Sequence, residues 1–218
     1  KDLNIKEFFF GFYERRIKRL VPALIIFNLI TSFIVVLVID NPGYQLRTSI
    51  ASLVGISNIY LFSQSTDYFA SSVTLNPFLH TWSLSIEAQF YMIFPFLAWF
   101  TGFSRSKRGG QDNFLFVITF LSILSFIFYI YLNIINPSKA YFLLTTRFWE
   151  ISFGCIIFLL RNKLSKELIQ KKELLVYFLF FTLFLIFIIP QSLGLISTVF
   201  IVLNTGALIL LLNKEYKI

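Results

Sequence analysis

Between Leu20 and Ile39 the chain runs for twenty residues without one charged side chain, and uncharged stretches recur at Phe114–Asn133, Leu174–Pro190 and about Leu195–Leu212. A helix rises 1.5 Å per residue, so about 20 apolar residues cross the roughly 30 Å of a bilayer's hydrocarbon core. Two more stretches, about Trp82–Phe103 and Tyr141–Leu160, have that length but carry Glu87 in the first and Arg147 and Glu150 in the second. Only 14% of the residues are charged and the mean hydropathy is +0.77, whereas a soluble domain has about 25% charged residues to cover its surface. The expected fold is all-α: a polytopic transmembrane bundle of about six spanning helices. In the first of them, Pro22 falls in the first turn, where its missing N–H does least harm.

A seventh stretch, Thr48–Ser65, is uncharged but carries Ser, Thr, Asn and Gln, and its most apolar part is too short to span. Charge parity assigns it a re-entrant path. Basic clusters lie at Arg15–Arg19, Arg105–Arg108, Arg161–Lys172 and Lys214–Lys217; with Lys1 and Lys6, 16 of the 19 Lys and Arg residues fall on one side if that stretch turns back. Basic residues collect on the cytoplasmic side. The expected location is therefore the cell (inner) membrane, multi-pass. The formal net charge of +8 then points to topology and contact with anionic membrane lipid, and to no nucleic acid.

The 29 Phe against 9 Gly and 6 Pro exclude a disordered or fibrous chain. One cysteine, Cys155, excludes an intrachain disulfide framework and a cysteine-ligated metal; with one histidine, His80, no metal site is expected. No GxSxG, HExxH or Walker sequence is present.

Charges at membrane depth cost about 2.5–3.5 kcal/mol each on insertion scales, so they face a partner or a cavity. Arg147 and Glu150, three residues apart, share a helix face. The bland reading is an ion pair that fixes packing and the functional one is the charged wall of a substrate cavity; a single pair can do both. Glu87 follows the run His80-Thr81-Trp82-Ser83-Leu84-Ser85. The bland reading there is a helix start, with Ser83 or Ser85 as cap and Glu87 favoured by the dipole. The density of His, Thr, Trp, Ser, Glu, Gln and Tyr through Tyr91 favours a site. His80 alone reads as a satisfied polar contact. Arg15, Arg16, Lys18 and Arg19 suit topology and anionic lipid, at about 1 kcal/mol each, and the guanidinium forks also suit bidentate phosphate binding.

Three blocks carry a resemblance. Phe12-Tyr13-Glu14-Arg15-Arg16-Ile17-Lys18-Arg19-Leu20-Val21-Pro22-Ala23, His80-Thr81-Trp82-Ser83-Leu84-Ser85-Ile86-Glu87-Ala88-Gln89-Phe90-Tyr91, and Tyr141-Phe142 with Thr146-Arg147-Phe148-Trp149-Glu150 and Gly154 together resemble the acyltransferase-3 family of integral-membrane O-acyltransferases, which acylate bacterial surface glycans. Ala88 stands where that pattern has a second Glu. The resemblance implies that residues 1–218 form a partial membrane acyltransferase domain, lacking the family's first and last membrane helices. The general-base His would then lie on the missing first helix, and the segment alone would be inactive.

What the resemblance implies for chemistry is transfer of an acyl group, acetyl first among them, from acyl-CoA to a hydroxyl of a cell-surface glycan, such as lipopolysaccharide, or of a lipid-linked saccharide. Acyl-CoA would be a donor substrate, with no permanently bound cofactor. The candidate catalytic residues are His80, Glu87, Arg147 and Glu150. Arg15, Arg16 and Arg19 would hold the CoA phosphates on the cytoplasmic side, and Trp82, Ser83, Gln89, Tyr91 and Trp149 would contact substrate. Glu87, Arg147 and Glu150 fall toward the outer half of the membrane in this topology. A saccharide or lipid transporter or flippase is the alternative, against which no paired Gly/Pro-broken helices occur in matching halves; a non-catalytic membrane subunit is another.

Overall fold

In the computed structural model, which describes residues 4–64, 75–105, 109–164, 172–186 and 194–212, the regular elements are all helical. The chain divides into two compact units, residues 1–148 and 149–218. The first unit opens with α1 (Ile5–Val38), which begins well before the expected start near Leu20. Residues 5–19 contain no helix breaker apart from Gly11, and the Lys18 Nζ–Glu14 Oε1 pair at 2.6 Å bridges successive turns. Pro22 therefore sits in the helix interior, not in a first turn, and the Lys18 carbonyl loses its usual N–H partner.

Two short helices follow, α2 (Gly43–Leu53) and α3 (Ser57–Gln64). At 11 and 8 residues they are about 16 and 12 Å long, and neither crosses a hydrocarbon layer. They are broken at Gly55, whose φ of 77° is a conformation that side chains with a Cβ rarely take.

The next helix, α4 (Thr81–Phe100), returns antiparallel to α1 along an aromatic seam. Phe9 meets Phe96 at 4.8 Å, Phe12 stacks on Phe94 at 5.7 Å and, toward the other end, Phe27 meets Phe78 at 5.9 Å. Helix α5 (Gly110–Ile135) seats Phe114 between Phe94 at 5.6 Å and Phe103 at 4.9 Å.

A continuous helix was expected over Tyr141–Leu160. The structure instead places α6 (Pro137–Phe142) and α7 (Leu144–Leu164) on either side of an extended Leu143. Asn136 caps α6 by accepting the Lys139 N–H at 3.0 Å, with Pro137 at its first position. A helix end leaves carbonyls unpaired, and here side chains take them. Thr146 Oγ1 donates to the carbonyls of Ala140 and Leu143 (2.8 and 2.7 Å), Arg147 Nε to that of Tyr141 (3.2 Å), and Asn58 Nδ2 to that of Phe142 (2.9 Å). The Thr-Arg pair thus makes the break tolerable within an apolar surround.

The second unit holds the rest of α7 with α8 (Lys172–Ile186) and α9 (Gly194–Leu212). Asn204 Nδ2 on α9 donates to Thr182 Oγ1 on α8 at 2.8 Å. Among the described helices α1, α5 and α9 are long and apolar enough to cross a membrane. α4 and α7 have comparable length, 20 and 21 residues, but carry the polar side chains described below. Apolar side chains such as Leu29, Phe33 and Leu37 on α1 and Phe116, Ile127 and Ile134 on α5 are exposed, as a surround of hydrocarbon requires.

The segment Ser104–Asn113 is expected to be a flexible loop. Its described parts are ordered: Phe103–Arg105 forms a 3₁₀ turn and α5 has already begun at Gly110. A Cβ at Gly110 would stand 2.6 Å from the Gly102 carbonyl oxygen, closer than any relaxed contact. Gly110→Ala is expected to destabilise the protein by about 1–3 kcal/mol through overpacking, measured as a lowered Tm in detergent; an unchanged Tm would show that this approach is not enforced.

Candidate functional site between α1 and α4

Helix α4 advances about 100° per residue, which divides its polar residues into stripes. Thr81, Ser85 and Gln89, spaced by four, form the first. Ser85 Oγ accepts the Ser57 N–H at 3.1 Å, so it caps α3 from a different helix, and the Ser57 and Ser85 hydroxyls lie 2.8 Å apart. Thr81 Oγ1 donates to Ser57 Oγ at 3.0 Å. Gln89 Nε2 donates to the Gly55 carbonyl at 2.9 Å and to Asn58 Oδ1 at 2.8 Å. This stripe closes the break between α2 and α3, where backbone groups would otherwise be orphaned.

Glu87 and Tyr91, one turn apart, form the second stripe, on the same side of the helix as Leu84 and Ala88. The Tyr91 hydroxyl donates a hydrogen bond to the Glu87 carboxylate. The Arg16 guanidinium of α1 lies 4.5 Å from the Tyr91 ring centroid and 5.5 Å from that of Phe12, within cation–π range. Tyr13, one turn back on α1, donates its hydroxyl to the Met92 carbonyl at 3.2 Å. Tyr13, Arg16, Tyr91 and Met92 frame one end of a slot of about 190 Å³ between α1, the α2 end and α4. Leu24, Ser52 and Leu84 line its other end, with Ala88 and Gly55, packed against each other, between.

A polar network extends inward from Ser52. Asn28 Oδ1 accepts from Ser49 Oγ at 2.7 Å and Ser52 Oγ at 2.9 Å, and the Ser32 and Ser49 hydroxyls lie 3.1 Å apart. The sequence reading missed this network, although Asn28 and Ser32, four apart in an otherwise apolar stretch, mark one helix face. It missed Asn58 and Tyr13 as well.

The structure thus joins Arg16 to Glu87 through Tyr91, although the topology reading put them in different halves of the membrane. Arg15 and Arg19 are exposed on α1. His80 is exposed at the start of α4, and it is His80, not Ser83 or Ser85, that occupies the N-cap position. Ser83 is exposed and donates to the His80 carbonyl at 3.1 Å.

Trp82 lies nine residues from Tyr91, half a turn around α4. Its ring centroid is 4.4 Å from that of Tyr141, and the Arg147 guanidinium lies 5.8, 5.6 and 5.0 Å from the rings of Trp82, Tyr129 and Tyr141. Arg16 and Arg147 therefore flank α4 from opposite sides. Trp149 and Glu150 follow on α7 within the second unit, Trp149 being buried.

A helical chain with apolar outer faces, membrane-length helices and a cation–tyrosine–carboxylate cluster beside a slot belongs to the class of integral-membrane proteins with an internal polar site. The family model for the acyltransferase domain matches residues 3–218, and the chain belongs to the acyltransferase-3 family. It is 30% identical over 171 residues to the O-acetyltransferase OatA of Staphylococcus aureus, covering 75% of this chain and 28% of that protein. An uncharacterised protein of Haemophilus influenzae is 33% identical over 169 residues, covering 74% and 67%. BcsY of Komagataeibacter xylinus, named as a candidate membrane-bound transacylase, is 33% identical over 159 residues, covering 71% and 39%. The chain matches about 28% of the length of the OatA relatives. No solved structure matches it.

Asn28→Leu removes the acceptor shared by Ser49 and Ser52 while keeping a similar volume. Leaving buried hydroxyls short of a partner costs about 1–3 kcal/mol, so thermal unfolding of the protein in detergent is expected at a lower temperature. A Tm equal to that of the parent would mean the hydroxyls find other partners.

Proposed function

We propose that this chain supplies the membrane core of a multi-pass inner-membrane O-acyltransferase that moves an acyl group, acetyl first, from acyl-CoA to a hydroxyl of a cell-surface glycan or lipid-linked saccharide. Family membership supports acyl transfer, and a relative named an O-acetyltransferase supports acetyl and a hydroxyl acceptor. In the transfer, the acceptor oxygen attacks the thioester carbonyl carbon, a C–O bond forms, the C–S bond breaks, and the sulfur departs as thiol with the acceptor's proton. General-base assistance to that proton transfer is typically worth about 10²–10⁴-fold.

The observation that carries the reading is Arg16 held over Tyr91 at the mouth of the slot. A guanidinium beside an aromatic face keeps its N–H fork available for a donor phosphate. Arg15 and Arg19, exposed on the same helix, extend the positive charge toward a polyanionic nucleotide. Glu87 is a positioning residue here: its carboxylate fixes the Tyr91 hydroxyl, and the Tyr91 ring in turn sets Arg16. Arg147, with Nε on the Tyr141 carbonyl, positions the broken helix and the Trp82–Tyr141 wall; a substrate contact by Trp82 would fall on that side. His80, exposed at the N-cap, is assigned no step.

Arg16→Lys keeps the charge and loses the fork. A charge-assisted hydrogen bond is worth about 1.5–3 kcal/mol, so the apparent acyl-CoA affinity of the full-length protein in membranes is expected to fall about ten-fold. Unchanged donor affinity at normal expression would return Arg16 to a role in topology or lipid contact.

A further inference from the structure

The slot follows the line along which the chain enters hydrocarbon. Arg15, Arg16, Lys18 and Arg19 stand directly before the uncharged run Leu20–Ile39, so Arg16 lies at headgroup level and Leu20, Val21 and Leu24 lie within the apolar layer. Along α1 the slot runs from Arg16 past Ile17, Leu20 and Val21 to Leu24, about 12 Å of helix rise. Its side is open: of the residues that line it, Ile17 is 55% exposed, Val54 69% and Met92 64%, where the walls of a closed cavity would be buried. At its head, the Arg16 guanidinium rests on the ring faces of Tyr91 and Phe12. Among the described residues no carboxylate pairs with it: Glu14 is held by Lys18, and Glu87 accepts from the Tyr91 hydroxyl.

We infer that the slot is a binding site for an anionic phospholipid, with the lipid phosphate on Arg16 and part of one acyl chain along Ile17, Val21 and Leu24. A cation without a counter-charge at headgroup level, above an open apolar channel, is complementary to an anionic amphiphile lying parallel to the helix. The guanidinium fork suits phosphate oxygens, and Arg15 and Arg19, exposed on the same helix, add positive charge beside them. A helix, about 10 Å across, does not enter a slot of about 190 Å³; a single hydrocarbon chain does. Lipid tails are as apolar as Leu side chains, so a tail gains little by leaving the bilayer for the slot, and the selectivity lies in the headgroup. Where acyl-CoA binds at Arg16, lipid and donor exclude each other; that consequence alone rests on the donor-site reading above.

The test reconstitutes the full-length protein in phosphatidylcholine vesicles that carry a trace of either phosphatidylglycerol or phosphatidylcholine with a photoreactive group in mid-chain. After irradiation, peptide mass spectrometry locates the label. Phosphatidylglycerol is expected to label segments 17–24 and 84–92 about five-fold more than phosphatidylcholine does, the factor for one basic contact near an anionic headgroup. The exposed Phe116 and Phe120 of α5 are the control. They follow Phe114, which meets the Phe94 that stacks on Phe12, so they sample a similar depth and are expected to take both lipids alike. Arg16→Gln is expected to abolish the preference, and Val21→Phe to lower the label on 84–92 from both lipids by filling the slot. Equal labelling of the slot by the two lipids overturns the inference. So does the same preference on α5, which would mark a general attraction of anionic lipid to a basic protein. If Arg16→Gln fails to express, the comparison of slot with α5 in the parent and the Val21→Phe label decide. Excess acyl-CoA is expected to lower the phosphatidylglycerol label; a slot label that acyl-CoA leaves unchanged supports the lipid site and counts against the donor-site reading.

Discussion

Hydrocarbon offers no hydrogen-bond partner, so each polar side chain on α4 has to be satisfied inside the protein, and that requirement organises the first unit. Thr81, Ser85 and Gln89 reach the broken backbone between α2 and α3. On another face, Tyr91, its hydroxyl bonded to Glu87, meets Arg16 of α1 with its ring. A helix with one polar stripe would pin one neighbour. With two it fixes the short helices on one side and α1 on the other, and the slot is the space left where those contacts diverge.

The same rule explains why α2 and α3 are short. A break in a helix within a membrane survives only where side chains take the freed carbonyls and N–H groups. Gln89 takes the Gly55 carbonyl and Ser85 the Ser57 N–H; at the second break, Thr146, Arg147 and Asn58 take the carbonyls around Leu143. Asn58 serves both places, since it also accepts from Gln89. The two breaks are therefore parts of one structure, and Arg147 is accounted for by backbone as well as by the rings it faces.

The apolar stretches made the all-α class legible, because several uncharged runs of about twenty residues in a chain with 14% charged residues have the length and composition of membrane helices. The extent of α1 was not, since helix propensity continues upstream of the span and a single interior proline does not stop it. The break at Leu143 was hidden for the opposite reason: Leu, Tyr and Phe are tolerated in extended and helical backbone, and the partners that permit the break come from Asn58 and Thr146, far and near in sequence. In the site, the density of polar residues from His80 to Tyr91 pointed to the right helix. Their division into stripes was available from the four-residue spacing of Thr81, Ser85 and Gln89. What the spacing could not provide was the neighbour of each stripe, so Glu87 was grouped with Arg147 when its hydrogen-bonded Tyr91 faces Arg16.

The central claim is that the acyl donor is held on the α1 side of α4. A photoreactive acyl-CoA analogue, activated in membranes containing the full-length protein and followed by peptide mass spectrometry, measures this directly. The account predicts label on the segments 13–24 and 84–92, reduced by excess unlabelled acyl-CoA. Label confined to Trp82, Tyr141 and the residues around Arg147 would place the donor on the other side of the helix and contradict it.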